Sequence, residues 1–259
     1  MKRFRGKRVL VTGSGRGIGA AIARRFASES ARVYLTARSG AELTTTRDEL
    51  RSLTSEVRAI ALDLTEKGSA AKLTAEVEQA WGGLDILVTN AGAAPQGGFL
   101  DLNDEDWPQG FGLKLFANLR VIKETWPLLK AAGGHVVMIG GGTARTPERH
   151  LSLVSAVNGS IAALSKSIAE QGLQDGVHVN LVQPGTVQTA RREKLMRKLA
   201  AQEGVDFADY VAEAPRRLKI ARLGEPSDVA ELVTFLSTEE ARWIHGAITD
   251  VDGGQNKGI

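Results

Sequence analysis

Residues 8–19, with the sequence RVLVTGSGRGIG, join an apolar segment directly to a glycine-rich turn. Arg8–Thr12 is apolar and rich in β-branched residues, which predicts a strand, and residues 18–28 have the pattern of a helix. Glycines at such a turn let the backbone approach a pyrophosphate, and the helix N-terminus offers free N–H groups. The stretch therefore predicts a nucleotide-binding turn at the start of an α/β chain, and a tight turn without a ligand is the alternative.

Strand-length apolar segments alternate with helical patterns along the rest of the chain. Strands are expected at residues 8–12, 32–36, 57–62, 84–89, 135–139, 177–182 and 247–251. Helices are expected at residues 18–28, 41–53, 67–81, 152–171 and 227–236, with a long helix within 104–130 and a charged helical stretch at 191–218. Most strands are apolar along their whole length, as is typical of strands buried on both faces. The pattern predicts an α/β fold, a single Rossmann-type domain over residues 1–259 with a doubly wound parallel sheet of about seven strands and helices on both faces.

The composition excludes several classes of function. The absence of cysteine rules out disulfides and thiolate chemistry and fits a reducing compartment. No apolar run reaches the roughly 18 residues of a membrane span, so a cytoplasmic protein with no membrane partner is expected. The net charge is +3, and acidic residues interrupt the densest basic run at 191–198, which favours a solvated helix face over a nucleic-acid surface. No spacing of His, Asp or Glu suggests a metal site.

Several motifs resemble those of the short-chain dehydrogenases/reductases, and together they span nearly the whole chain. Thr12-Gly13 followed by Gly17-Ile18-Gly19 resembles the TGxxxGxG turn of that family. Further matches are Asp63-Leu64, Asn90-Ala91-Gly92 (with Thr89 where a first Asn is common), Val179-Asn180 with Pro184-Gly185 and Thr189, residues 222–226 and residues 251–254. The resemblance implies the fold, an NAD(P) site, a small-molecule substrate and a homo-oligomer, either a dimer or a tetramer. It also implies that residues 186–218 form a helical lid on the substrate side.

The resemblance and the glycine turn together assign a set of residues to the cofactor. These are Gly13, Ser14, Gly15, Arg16, Gly17, Ile18, Gly19, Arg38, Asp63, Leu64, Asn90, Ala91, Gly92, Pro184, Gly185, Val187 and Thr189. A carboxylate at the end of the second strand binds the ribose hydroxyls of NAD and repels a 2′-phosphate. That strand instead ends in Ala37-Arg38, and Arg16 adds a second cation in the turn. Guanidinium groups suit phosphate oxygens, so NADP(H) is favoured over NAD(H). The alternative is that both arginines are solvated surface residues.

The usual catalytic residues of the family are missing. The family uses a Tyr as general acid/base, a Lys four residues later, a Ser that orients the substrate carbonyl, and an Asn on the long helix. The two tyrosines, Tyr34 and Tyr210, lie in the second strand and the late helical segment, so neither fits. Spacing from the family's Pro-Gly, Trp and Pro places the Tyr, Lys, Ser and Asn positions on other residue types: Val154, Asn158, Gly141 and Lys114 respectively.

Other groups near these positions are candidates to take over. His150 is a weak substitute as an acid/base, and a surface imidazole is the alternative. Thr143, Arg145 and Ser152 lie in the same segment and are candidates for substrate binding. Lys114 and Asn158 look like an exchange of side-chain types. This suggests that the Lys114 ammonium replaces the missing lysine at the nicotinamide ribose, with independent drift as the alternative.

Three functions remain open at this point. The first is an NADP(H)-dependent oxidoreductase that acts on a small carbonyl or alcohol substrate without the usual Ser/Tyr/Lys machinery. The second is a non-redox enzyme, such as a dehydratase or isomerase, that keeps the nucleotide for structure. The third is a catalytically silent NADP(H)-binding sensor or partner subunit. Fold alone does not decide among them.

Overall fold

Seven parallel strands form one continuous sheet in the structure, a computed structural model that describes residues 2–258. The strands are β1 (Arg8–Thr12), β2 (Arg32–Ala37), β3 (Val57–Ala61), β4 (Ile86–Thr89), β5 (His135–Ile139), β6 (His178–Pro184) and β7 (Ile248–Val251). Their order across the sheet is β3-β2-β1-β4-β5-β6-β7. The predicted doubly wound sheet of about seven strands is confirmed.

Helices cover both faces of this sheet. They are α1 (Gly17–Ser28), α2 (Gly40–Leu50), α3 (Ser69–Trp81), α4 (Asp106–Phe111), α5 (Asn118–Ala132), α6 (Ser152–Asp175), α7 (Ala190–Glu203), α8 (Phe207–Leu218) and α9 (Pro226–Phe235). Alternate residues of a strand point to opposite faces. Val9 and Val11 accordingly pack with α1, α2 and α9, whereas Leu10 packs with α3, α5 and α6. No described helix is long and apolar enough to cross a membrane.

The strand order reverses between β1 and β4, because the chain runs outward to β3 and then returns to pair β4 with β1. At such a switch point the loops after the two strands diverge to opposite faces and leave a crevice at the carboxyl ends of the strands. The glycine turn follows β1 and the Asn90-Ala91-Gly92 turn follows β4. The fold therefore places both motifs at the same crevice.

The long helix expected within residues 104–130 is interrupted. Residues Gly112–Ala117 form a π-helical turn between α4 and α5. The side-chain amide of Asn118 donates to the carbonyl oxygen of Lys114 at 2.9 Å, while the backbone N–H of Asn118 is directed to Leu115. Such π turns change the direction in which side chains leave the helix and are frequent at functional sites. Sequence periodicity does not reveal the π turn, because α4, the turn and α5 are all helical.

The charged helical stretch expected at 191–218 consists of two helices, α7 and α8. Gly204 ends α7 with a left-handed backbone (φ +68°), and Asp206 caps α8 by accepting from the Ala208 N–H at 2.7 Å. Buried Met196, Ala214 and Leu223 hold the pair together. The two helices form one unit after β6, and the role of this unit as a substrate-side lid stays a prediction.

Candidate functional site

The glycine turn after β1 is packed so closely that side chains are excluded. A Cβ atom on Gly19 would lie 2.2 Å from the carbonyl oxygen of Gly13, and one on Gly13 would lie 2.8 Å from the Cα of Ala91. Gly13 and Gly17 also have left-handed backbones, with φ of +64° and +58°. The N-cap residue of α1, Arg16, supplies no side-chain cap, so the first N–H groups of the helix remain available to a ligand. The turn has the shape and the donors that a pyrophosphate requires.

Hydrogen bonds tie this turn to the one that follows β4. The Thr12 hydroxyl oxygen accepts from the backbone N–H groups of Asn90 and Ala91, each at 3.0 Å. The Asn90 side-chain amide donates to the carbonyl oxygens of Thr12 and Gly13 at 3.1 and 3.0 Å. These four bonds hold the two walls of the crevice in register.

Most residues predicted to bind the cofactor line one open cleft of about 970 Å³: Gly13, Gly15, Arg16, Gly17, Ile18, Arg38, Leu64, Asn90, Ala91, Gly92 and Thr189. Ser14, in contrast, is fully buried, and its hydroxyl oxygen accepts from the Thr36 N–H at 3.0 Å, so its side chain faces β2. Gly19 packs inside the turn, and the remaining residues flank the cleft without lining it: Asp63, Pro184, Gly185 and Val187. Their assignment to a cofactor stays a prediction.

Two exposed arginines line the cleft, and each lies beside a carboxylate. Arg38 lies 3.9 Å from Asp63, and Arg16 lies 3.3 Å from Glu42. Sequence reasoning missed Glu42, although it follows Ser39 by three residues and Ser39 caps α2 by accepting from the Glu42 N–H. Both pairs are exposed, so water screens them and they leave guanidinium donors free for a phosphate.

Lys114 points into the molecule from the π turn. Its ammonium donates to the carbonyl oxygen of Gly140 at 3.3 Å and to the side-chain oxygen of Asn158. A Cβ on Gly92 would lie 2.8 Å from Cγ of Lys114, so glycine at 92 leaves room for the lysine stem. Burial of the ammonium and the nearby charge of Arg191 lower the pKa of Lys114 to about 8. The two side chains that the sequence suggests have been exchanged are therefore in contact, and binding of the ribose by Lys114 stays a prediction.

Asn158, which contacts Lys114, also contacts the hydroxyl group of Thr143. Asn158 is buried, and its side-chain N–H donates to the Thr143 hydroxyl oxygen at 2.8 Å. Thr143 is the acceptor in this bond, so its hydroxyl proton is not used in it and can be donated to another group. Lys114, Asn158 and Thr143 thus form a hydrogen-bonded chain that begins in a positive charge and ends in an available donor.

The hydrogen-bonded chain of Lys114, Asn158 and Thr143 explains why position 141 is a glycine. A Cβ at 141 would lie 2.6 Å from the side-chain nitrogen of Asn158. The Asn158 side chain is held in place because its nitrogen donates to Thr143 and its oxygen accepts from Lys114. A serine side chain, as in the family pattern, does not fit beside Asn158 in this position. Val154 is half-buried and packs on the apolar cluster between the sheet and α6. Neither residue carries a proton donor.

The other substitute candidates do not join this chain. The His150 side chain is 68% exposed and lies 3.3 Å from Glu148, as expected of a surface imidazole. Arg145 pairs with Asp250 at 3.3 Å, and the Ser152 hydroxyl donates to the carbonyl oxygen of Arg149 at 3.1 Å. Of the candidates near the four replaced catalytic positions, Thr143 alone is hydrogen-bonded to Asn158, which in turn accepts from Lys114.

The first turn of α7 departs from the solvated helix face expected for residues 191–198. Arg191 donates to the carbonyl oxygens of Gly92 and Ala94 at 3.2 and 3.5 Å, so it reaches across the cleft. Arg192 is half-buried and donates to the Thr186 hydroxyl oxygen at 3.4 Å. Arg191 is exposed, as expected, although it reaches the cleft, whereas for Arg192 the solvated-face interpretation is wrong. The α7 N-terminus sits directly beside the glycine turn, with Thr189 3.4 Å from a Cβ on Gly17. Arg197 and Lys198 are exposed as expected.

Within residues 2–258 no cluster of three or more His, Asp or Glu is placed to hold a metal ion.

This arrangement defines a dinucleotide-binding α/β protein. The family model described as enoyl-(acyl carrier protein) reductase matches residues 13–256. Oxidoreductase UcpA of Salmonella typhimurium is 31% identical, and the match covers 98% of this chain and 96% of the relative. The chain belongs to the short-chain dehydrogenase/reductase family, as its motifs predict.

Two solved structures share the whole fold. L-sorbose reductase of Gluconobacter frateurii, in complex with NADPH and L-sorbose, superimposes with a TM-score of 0.95 at 28% identity and covers 100% of both chains. An NADPH-bound short-chain oxidoreductase of Pseudomonas aeruginosa PAO1, described as containing an atypical catalytic centre, has a TM-score of 0.91 at 27% identity. It covers 99% of this chain and 100% of its own.

Proposed function

We propose that this protein is an NADP(H)-dependent oxidoreductase of a small carbonyl or alcohol substrate that works without a catalytic tyrosine. The observation that carries the proposal is the chain of hydrogen bonds from Lys114 through Asn158 to Thr143, which offers a hydrogen-bond donor although this protein lacks the Ser and Tyr of the family pattern. The glycine cradle and the free N–H groups of α1 fit the pyrophosphate, and the NADPH-bound relatives support the choice of cofactor.

One group of residues holds the cofactor, and another polarises the substrate carbonyl. Arg16 and Arg38 hold the 2′-phosphate, the α1 N-terminus holds the pyrophosphate, and Lys114 holds the nicotinamide ribose. NADPH supplies the hydride when it is bound. Thr143 donates its hydroxyl proton in a hydrogen bond to the substrate carbonyl oxygen, which stabilises the negative charge that develops there. The Lys114 charge, two hydrogen bonds away, strengthens this donor, and the alkoxide takes its proton from water.

The hydroxyl of Thr143 provides the test of this function. Thr143→Val keeps the shape but removes the donor, and we expect the rate of NADPH oxidation with a reactive carbonyl to fall by about 10- to 150-fold, the value of a hydrogen bond to a charged group. Thr143→Ser keeps the hydroxyl and should restore most of the rate. The dissociation constant of NADPH, followed by the fluorescence of the bound nicotinamide, should change little in either variant.

The missing proton donors at positions 141 and 154 favour a second candidate, a non-redox enzyme or a silent NADP(H)-binding protein. Assays of NADPH oxidation with a library of aldehydes and ketones distinguish the proposed oxidoreductase from this second candidate. Tight binding of NADPH without oxidation by any member of the library would contradict the proposed oxidoreductase and support the second candidate.

The cofactor preference makes a separate prediction. NADPH should bind more tightly than NADH, and Arg38→Ala should weaken NADPH binding by about 10- to 150-fold while NADH binding stays nearly constant, because one charge-assisted hydrogen-bonding partner of the 2′-phosphate is lost. Arg51→Ala, which removes an exposed arginine just after α2, is the matched control and should change neither affinity. Equal affinity of the unaltered protein for the two cofactors would refute the preference.

A further inference from the structure

Arg192 carries a charge that the protein does not neutralise. It lies in the first turn of α7, where its backbone N–H donates to the Thr189 hydroxyl that caps the helix. The guanidinium Nε is buried without a hydrogen-bond partner, and the only bond of the head group within residues 2–258 runs from Nη2 to Thr186 at a long 3.4 Å. A guanidinium has five N–H donors, so most of this group's capacity is unused.

No carboxylate among the described residues lies within 4.0 Å of Arg192. Burial lowers the pKa of Arg192, and Glu148 and Tyr210 offset this only in part. The nearby Glu148 carboxylate lies against His150 instead. Arg8, which is also partly buried, is by contrast paired with Asp85 at 2.7 Å. Partial burial of a charge with a single long hydrogen bond and no opposite charge beside it is costly, so its retention here points to a partner from outside the chain.

The two arginines of this turn face different parts of the cleft. Arg191 lines the nucleotide cleft, and the charge of Arg16 acts on it, so cofactor phosphates can neutralise both. Arg192 does not line that cleft. Its neighbour Thr186 directly follows the Pro184-Gly185 end of β6, and Glu148 belongs to the segment that begins at Thr143. Arg192 therefore lies near the end of β6 and the segment that carries Thr143, outside the lining of the nucleotide cleft.

We propose that the substrate carries an anionic group, a carboxylate or a phosphate, on the same molecule as the reacting carbonyl, and that Arg192 binds this group. The inference rests on the proposed oxidoreductase function and adds the substrate class. A planar guanidinium pairs with either anion through two parallel hydrogen bonds, which fixes the orientation of the substrate as well as its affinity. An anion held at α7 orients the carbonyl toward the Thr143 hydroxyl.

Matched pairs of charged and neutral carbonyl compounds test the proposal. We expect NADPH oxidation with acetoacetate to exceed that with methyl acetoacetate, or that with dihydroxyacetone phosphate to exceed that with dihydroxyacetone, by about 10-fold or more in kcat/KM. The pair that shows the preference identifies a carboxylate or a phosphate. Arg192→Gln should abolish the preference, and Lys198→Gln, which removes an exposed charge from the same helix, should keep it. Equal or better use of the neutral member in both pairs, or a preference that survives Arg192→Gln, would overturn the proposal.

A binding measurement keeps this inference separate from the proposed function. If no carbonyl in either pair oxidises NADPH, malonate and inorganic phosphate are titrated calorimetrically into the NADPH complex. Binding that Arg192→Gln removes and Lys198→Gln retains would support the anion site even though the redox function had failed. The absence of binding, or equal binding by all three proteins, would overturn it. Because Arg192 lacks a partner, its replacement should leave Tm unchanged or higher, and a fall of several degrees would show a structural role instead.

Discussion

Replacing Val154 with tyrosine is expected to increase the rate of carbonyl reduction by about 10²–10⁴-fold, the usual contribution of a positioned acid/base group. Val154 is half-buried near the start of α6, so a larger ring has access to open space. Asn158 lies four residues later on the same face of the helix. A tyrosine hydroxyl at 154 would thus approach the chain that Asn158 forms with Lys114, whose positive charge favours an ionised phenol.

The controls separate the hydroxyl from the ring and from the lysine. Val154→Phe adds the ring without the hydroxyl and should show no increase in rate. Combining Val154→Tyr with Lys114→Met should lose most of the increase, because the charge that lowers the pKa of the new tyrosine is gone. A Val154→Tyr protein that binds NADPH normally but gains no activity would show that Lys114 does not stand in for the family's lysine.

Acid should destabilise this protein through His135. The ring is 5% exposed, its Nδ1 has no partner, and it stacks on His178 with 5.1 Å between ring centroids. Burial, followed by the positive influence of His178 and Arg242, lowers the pKa of His135 from 6.5 to about 4, and Glu239 opposes this shift only weakly. In the unfolded chain the same imidazole takes up its proton near pH 6.5. His135 therefore contributes stability above pH 6.5 that is lost as the pH falls from 6.5 to about 4.

The size of this effect follows from the shift in pKa. The difference between 6.5 and about 4 corresponds to about 3 kcal/mol in the free energy of unfolding. His178, whose pKa is also lowered by burial and by Arg242, adds to the loss in the same direction. Urea unfolding at pH 7, 6, 5 and 4 measures it.

A variant that cannot titrate isolates the contribution of His135. His135→Phe should lose clearly less stability than the unaltered protein between pH 6.5 and 4, because one buried group no longer gains a proton on unfolding. His150→Phe, at an exposed position, is the control and should follow the unaltered protein. Identical pH dependence of the His135→Phe and unaltered proteins would contradict the assignment.

Local sequence patterns were sufficient to predict the fold class and the glycine turn of the site. Apolar strands buried on both faces that alternate with helices predict a parallel, doubly wound sheet, since parallel crossovers are short and right-handed. The glycine turn carries its own constraint, because Gly13, Gly17 and Gly19 sit where a side chain or an ordinary backbone angle cannot be accommodated. The absence of a proton donor at Gly141 and Val154 is likewise visible in the sequence alone.

Tertiary structure alone decided how the remaining site residues meet. Lys114 and Asn158 are 44 residues apart, and their contact depends on the π turn that directs the lysine inward and on the rotation of α6, neither of which leaves a periodic signal. The charged run of α7 has the same composition whether it faces water or the cleft, so the burial of Arg192 depends on how α7 and α8 pack against the rest of the chain. Periodicity reports which face of an element is apolar, whereas the partner of a polar side chain is set by contacts between distant elements.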